Sequence, residues 1–406
     1  MNTINIINGG VCAPIGFKAN GIHCGIRKNR TKRDLALIVS ETRASAAAVY
    51  TTNLVYGAPI KVTREHIADG YAQAMVCNSG NANTCNANGV EIADKMSELT
   101  AKAVGIDTND VIIASTGVIG QSLDIEPIAQ GMPALAEGLG DHSDFAAQAI
   151  MTTDTKMKEI SISFNIDGIE CKMGGIAKGS GMIHPNMATM LVFITTDCAI
   201  SPEMLSKALR TDVSTTFNMV SIDGDTSTND MVSIMANGMA KNTKIESEGE
   251  SFDMFMKALN TVCTHLCKCI AGDGEGATKM LECSVSGADS DNVAKTVAKS
   301  VICSSLVKAA MFGADANWGR ILCAIGYSGA KVDVDKIDVS FSSKKGEIPV
   351  CKNGAGIEFS EEIAKEILLE DEIYINIELN SGSYNATAWG CDLTYDYVKI
   401  NGDYRT

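Results

Sequence analysis

The 406-residue chain reads as an α/β fold of the layered α+β kind, on three observations. Short apolar, β-branched runs, such as residues 190–196, have the length of single buried strands. Between them lie stretches of helical period, some opened by a capping residue or closed by a glycine. The two signals alternate in a mixed order, which suits layers of helix on sheet.

Composition narrows the class. Charged residues make up 20% and hydrophobic residues 45%, ordinary for a globular enzyme, and the length allows two or more domain-sized units. The net charge of −15 argues against nucleic acid as a partner, because phosphate backbones need clustered Lys and Arg. An anionic substrate would therefore need its own local cation. No segment approaches 18 consecutive apolar residues, so no membrane span is expected. The start, MNTINIINGGVCAPIGF, lacks the basic-then-apolar order of a signal peptide. Fourteen cysteines without export signals read as reduced thiols, and a cytoplasmic location is expected.

In chain order, residues 31–53 carry a buried strand at 35–39 and a second around 47–51. Residues 74–78 form another strand, which feeds the Asn- and Gly-rich loop 78–89. Such a loop can expose backbone N–H groups to an anion, although turning the chain is its commoner use. Residues 90–105 are an amphipathic helix ended by Gly105. A buried strand at 111–114 runs into Ser115-Thr116-Gly117. An edge turn is the ordinary meaning there, but hydroxyl and glycine N–H groups at a strand end can also face one developing charge. IAQGMPALAEGLG and HSDFAAQAI keep helical period up to Met151. ISISFNID and CKMGGIAKG then make a hairpin about Asp167-Gly168.

Residues 174–197 organise the rest. The stretch begins as a loop carrying Gly174, Gly175, Gly179 and Gly181, then Pro185 and Asn186, and ends as the strand at 190–196. Ala188-Thr189 is the junction. Glycines permit φ > 0 and close backbone approach, and Pro and Asn stiffen the turn. A hydroxyl at this place is held still, as a nucleophile must be. Attack by Thr189 Oγ on the Ala188 carbonyl would turn the peptide into an ester that water splits. The freed α-amine of Thr189, with an ordinary pKa of about 7.7–8, could then serve as base for the adjacent hydroxyl. On spacing alone, an ordinary strand start is the commoner meaning.

Further on, residues 201–218 are a helix with Ser201 as cap and Pro202 in its first turn. In residues 221–232, Asp223 and Asp225 fit the first ligands of a calcium loop. The sixth position lacks Gly and Ile234 replaces the closing Glu, so calcium is rejected. A helix over 250–270 holds Cys263, Cys267 and Cys269 around His265. The first two share a face while Cys269 points elsewhere, and no second finger-spaced pair exists; packing explains them better than zinc, and no metal site is expected. AGDGEGATKML follows a helix and precedes a strand, the reverse of a dinucleotide fingerprint. Ser180 stands where a P-loop lysine belongs, so Lys178 is not a phosphate grip of that kind. Residues 290–312 are helical in period. The turn 315–319 leads to a helix from Ile321, the strands KIDVSFS and YINIELN flank a helix SEEIAKEIL, and so polar a tail should fray.

KGSGMIHPNMATML, residues 178–191, closely resembles the cleavage-site motif of the ornithine acetyltransferases, the self-cleaving glutamate N-acetyltransferases of arginine biosynthesis. Other matches extend from the amino-terminal region to the last residue. The resemblance implies that family's N-terminal-threonine nucleophile sandwich, with smaller α/β units in the second half. It implies a cut between Ala188 and Thr189, giving an α chain, 1–188, and a β chain, 189–406. The β chain would comprise a strand-led core, a helix and strand unit about 200–279 and an α/β unit about 280–406. It further implies a heterotetramer of two α and two β chains.

Residue by residue, it makes Thr189 the nucleophile and Thr116 with Gly117 the oxyanion hole. Substrate would be held by Thr152 (within MTTDT), Lys178, Thr189, Glu275 (within GEGATK), Asn401 and Thr406. Residues 221–232 look like a family loop leading into a helix. The reaction implied is double displacement: acetyl passes from N-acetylornithine to Thr189 and then to glutamate, without a cofactor. Acetyl-CoA as a second acetyl donor stays open, because the family contains both kinds. Two rivals remain: an amidohydrolase or aminopeptidase of similar fold, with water as acceptor, and a metal or redox protein built on Cys263, Cys267 and Cys269.

Overall fold

The computed structural model describes residues 3–29, 31–184 and 190–403. Ala188, Thr189 and Thr406 lie outside the described residues. The first half runs β1 (Asn5–Ile7), β2 (Phe17–Ile22), β3 (Leu35–Tyr50), α1 (Ala58–His66), β4 (Tyr71–Asn78), α2 (Gly89–Val104), β5 (Val111–Ser115), α3 (Glu126–Glu137), α4 (Ser143–Ile150), β6 (Lys158–Ile166) and β7 (Ile169–Lys178). The second continues with β8 (Leu191–Thr196), α5 (Pro202–Val213), β9 (Val220–Ser221), β10 (Met231–Ala236), α6 (Glu250–Ala271), β11 (Met280–Ala288), α7 (Asp291–Cys303), α8 (Ser305–Phe312) and α9 (Trp318–Gly326). It closes with β12 (Asp338–Ser343), β13 (Gly346–Lys352), β14 (Ala355–Gly356), α10 (Glu361–Leu368), β15 (Glu372–Glu378), β16 (Tyr384–Cys391) and α11 (Tyr395–Asp403).

These strands make two mixed sheets, in keeping with the layered α/β expectation. One has the order β1-β6-β7-β8-β10-β3-β4-β5, with β2 also on β3; the other is β14-β13-β12-β15-β11-β16-β9. All six residues of β8 are buried. Leu191 and Phe193 join the apolar cluster that includes α4, whereas Val192 and Ile194 join the one that includes α5 and α6. A strand covered on both faces needs an unbroken apolar run, and this one has it. Helix α6 packs on β6 and β7 and also reaches β16, so one helix serves both sheets. Truncating its buried Leu259 or Leu266 to Ala would cost about 2–5 kcal/mol.

The two halves of the chain share the first sheet. Strand β8 pairs antiparallel with β7 and parallel with β10, which in turn pairs antiparallel with β3. Among the described residues no helix is long and apolar enough to cross a membrane.

Several expectations are corrected. Gly174 and Gly175 lie inside β7, not in a loop. A Cβ on Gly174 would sit 1.8 Å from the Gly10 carbonyl oxygen, so the glycine admits the amino-terminal segment over the strand. The strands expected at 35–39 and around 47–51 are one long strand, β3, kinked by an irregular register between Val39 and Ala44. Residues 221–232 lead into strand β10 rather than a helix, because MVSIMA is buried on both faces. Helix α5 stops at Val213, and the Thr216 hydroxyl bonds back to the Asp212 carbonyl at 2.9 Å. Ser304 breaks the span 290–312, its Oγ accepting from Val307 N to cap α8. The tail forms β16 and α11 instead of fraying, its strand held by seven partners on β11.

Candidate active site

A cleft of about 140 Å³ is lined by Thr116, Gly117, Thr152, Lys178, Glu275 and Asn401. Every described residue to which a site role was assigned therefore reaches one place.

One wall is built where β4 and β5 end side by side. Asn78, fully buried, donates to Ser115 Oγ at 2.7 Å, and its Oδ1 accepts from Gly80 N and Asn81 N. Its carbonyl accepts from Thr116 N at 2.9 Å. Asn229, reaching in just ahead of β10, donates to the Ala82 and Ser115 carbonyls and accepts from the Thr84 and Thr228 hydroxyls. The N–H groups of Gly80, Asn81, Ala82 and Asn83 are thus consumed within the protein. Those four N–H groups are therefore not offered to an anion. Gly117 has φ +123°, and a Cβ there would meet the Gly80 carbonyl carbon at 2.7 Å, so only glycine fits. Thr116 N is spent on Asn78, and Thr116 and Gly117 both line the cleft.

The opposite wall supplies charge. Lys178 ends β7 and has no ion pair among the described residues. Glu275 lies nine-tenths buried in the loop after α6, where its N–H donates to the Ser180 carbonyl at 2.9 Å. Asn401 on α11 donates to Glu275 Oε2 at 2.8 Å. Asp154 is fully buried, which opposes its ionisation, but the Lys178 and Lys158 charges outweigh that and hold it well below the usual carboxylate range.

Sequence reasoning missed Asp223, Asn229 and Tyr397 as lining residues. Asp223 accepts from Met182 N at 2.6 Å and Ile183 N at 2.9 Å. Burial, then the facing Asp223 charge, pushes the Tyr397 phenol up. The carboxylate that first suggested calcium is therefore a loop anchor. Thr226 Oγ1 donates to the His184 carbonyl, and Met231 N donates to the Met190 carbonyl at 2.8 Å. His184 and Met190 are thus held by Thr226, between β9 and β10, and by Met231 at the start of β10. No periodicity signals such side chains, since each acts through contacts distant in sequence.

Cys263 and Cys267 point into the core, and burial pushes their thiols up. Cys269 lies apart, 3.4 Å from His265 Nε2. Among the described residues no group of His, Cys, Asp and Glu is arranged to hold a metal.

The sequence matches the ArgJ family over residues 18–406. It is 50% identical to the arginine biosynthesis bifunctional protein ArgJ of Caldanaerobacter subterraneus subsp. tengcongensis, over 99% of this chain and 100% of that protein. It is also 50% identical to ArgJ 1 of Clostridium acetobutylicum, over the full length of both. Among solved structures, the Bacillus halodurans ArgJ protein is 48% identical with a TM-score of 0.50, matching 52% of this chain and 98% of the solved one.

Proposed function

The chain belongs to the ArgJ family, as an acyltransferase of arginine biosynthesis, and from that premise we propose that it carries acetyl from N-acetylornithine to glutamate on Thr189. The observation that carries this reading is that one cleft is lined by Thr116 and Gly117 together with Lys178, Glu275 and Asn401.

The chain first cuts itself between Ala188 and Thr189. The α-amine so freed accepts the Thr189 hydroxyl proton while Oγ attacks the acetyl carbonyl of N-acetylornithine. The Thr116 hydroxyl and Gly117 N–H stabilise the oxyanion. The amide C–N bond breaks, and ornithine leaves with the proton. Glutamate's amine then attacks the acetyl ester, restoring Thr189 and releasing N-acetylglutamate. Lys178 pairs with the α-carboxylate common to both substrates, while Glu275 faces the cationic end of ornithine. Thr152, Asn401 and Thr406 complete the frame.

Self-cleavage is supported by the solved Bacillus halodurans chain, nearly all of which is matched by about half of this one; a cut at Ala188-Thr189 leaves two pieces of about half length each. They would stay joined, because β8 and β10 of one lie between β7 and β3 of the other. Two such pairs make the proposed heterotetramer.

The test is acetyl transfer from N-acetylornithine with and without glutamate, read as parallel-line double-displacement kinetics. Acetate release independent of glutamate would identify a hydrolase instead. The same assay with acetyl-CoA in place of N-acetylornithine decides the second donor.

A further inference from the structure

Beneath the cleft lies an ammonium that the reaction above does not use. Lys158, at the start of β6, is 1% exposed. Its Nζ donates to Asp154 Oδ1 at 2.7 Å, to Asp273 Oδ2 at 2.6 Å and to the Lys156 carbonyl at 3.3 Å, so all three of its hydrogens are engaged. Removing charges from water so completely costs several kcal/mol per ion unless partners satisfy them, and here they do.

Each carboxylate then grips backbone from a cleft-lining loop. Asp154 accepts from Thr152 N at 2.9 Å and Gly179 N at 2.7 Å. Asp273 accepts from Thr155 N at 3.1 Å and Lys156 N at 3.2 Å, and from the Thr155 hydroxyl. The Asp273 carbonyl accepts from Ser180 Oγ at 2.6 Å, and the Ser180 carbonyl from Glu275 N at 2.9 Å. Thr152, Lys178 and Glu275 thus each lie within two residues of one connected network. Asp154 and Lys158 precede the proposed cut, and Asp273 follows it.

We propose that Lys158 is a positioning residue that sets Thr152, Lys178 and Glu275 in register across the two pieces and, by occupying Asp154, leaves Lys178 free for a substrate carboxylate. This rests on the substrate reading above. Without Lys158, Asp154 keeps the field of Lys178 and would draw it out of the cleft.

The experiment compares full-length wild type, Lys158→Met, Asp154→Asn and the double variant. Lys158→Met is expected to raise KM for N-acetylornithine about tenfold while kcat stays within about threefold, the pattern of lost ground-state binding. Adding Asp154→Asn should recover part of that, because the neutral amide no longer attracts Lys178, although its one oxygen keeps only one of the two backbone bonds, that from Thr152 N to Oδ2 or that from Gly179 N to Oδ1. An unchanged KM in Lys158→Met, or no recovery in the double variant, overturns the proposal; a purely structural role predicts no recovery. Should Lys158→Met not accumulate as folded protein, Lys158→Gln removes the charge but keeps two hydrogen-bond donors, and an unaltered KM there is equally fatal. A second readout needs no substrate: the crystal structure of Lys158→Met should place the Lys178 ammonium on Asp154, and that of the double variant should return it to the cleft. Wild type lacking acetyl transfer would sink the function while these structures still decide the role of Lys158.

Discussion

The Asn401 amide donates to the Glu275 carboxylate at 2.8 Å, and that one bond fastens the last helix to the loop after α6. Helix α11 has no buried residue, so it contributes contact rather than core. Asn401→Ala should leave the melting temperature nearly unchanged, since exposed substitutions usually fall within about 0.5 kcal/mol. It should raise KM for N-acetylornithine about three- to tenfold. Steady-state kinetics beside a thermal melt separates the two effects; a large fall in melting temperature would mean the helix is structural.

Thr189→Ala should yield one unbroken chain without acetyl transfer, because no hydroxyl remains to attack the Ala188 carbonyl. Thr189→Ser retains the hydroxyl and should still be cut. Intact mass spectrometry reads both outcomes, and a processed, active alanine variant would refute the nucleophile.

Gly117→Ala places a methyl group against the Gly80 and Asn81 backbone at φ +123°. Strain of this kind costs about 1–3 kcal/mol. The variant should lose stability in that range by urea titration, and kcat should fall about 100-fold or more through the displaced N–H. Full kcat would remove Gly117 from the oxyanion hole.

Asp230 is fully buried, with Oδ2 unpartnered among the described residues. Burial raises its pKa well above the ordinary value, against hydrogen bonds from Ser227 and Thr51 and the Lys178 charge. A folded value above the unfolded one stabilises at low pH, and that stability is lost as pH rises through the folded value. Asp230→Asn should match wild type near pH 4 and become progressively more stable than it towards neutrality. Melting curves across that range check this; a difference independent of pH would contradict it.

Local order was legible wherever a residue's neighbours in sequence are also its neighbours in space. The run 190–196 reads as a strand because both of its faces are buried, and Gly105 ends α2 because the chain there turns left-handed, with φ 75°. The β6–β7 turn at Asp167 and Gly168, both at positive φ, is local in the same way. The breaks were harder to see. One strand became two in the reading of β3, since its exposed middle, Glu41 to Arg43, looks like a loop until β4 and β10 are placed beside it.

The sequence by itself determined the layered α/β class and, through a fourteen-residue motif and its companions, six described residues that meet in one cleft. Tertiary structure alone decided that Lys158, Asp154 and Asp273 form one buried network, and that Asp223 and Asn229 brace the cleft. The physical reason is range. Strand and helix signals repeat over a few residues, whereas a buried charge reveals its purpose only through partners, here as far as 115 residues away.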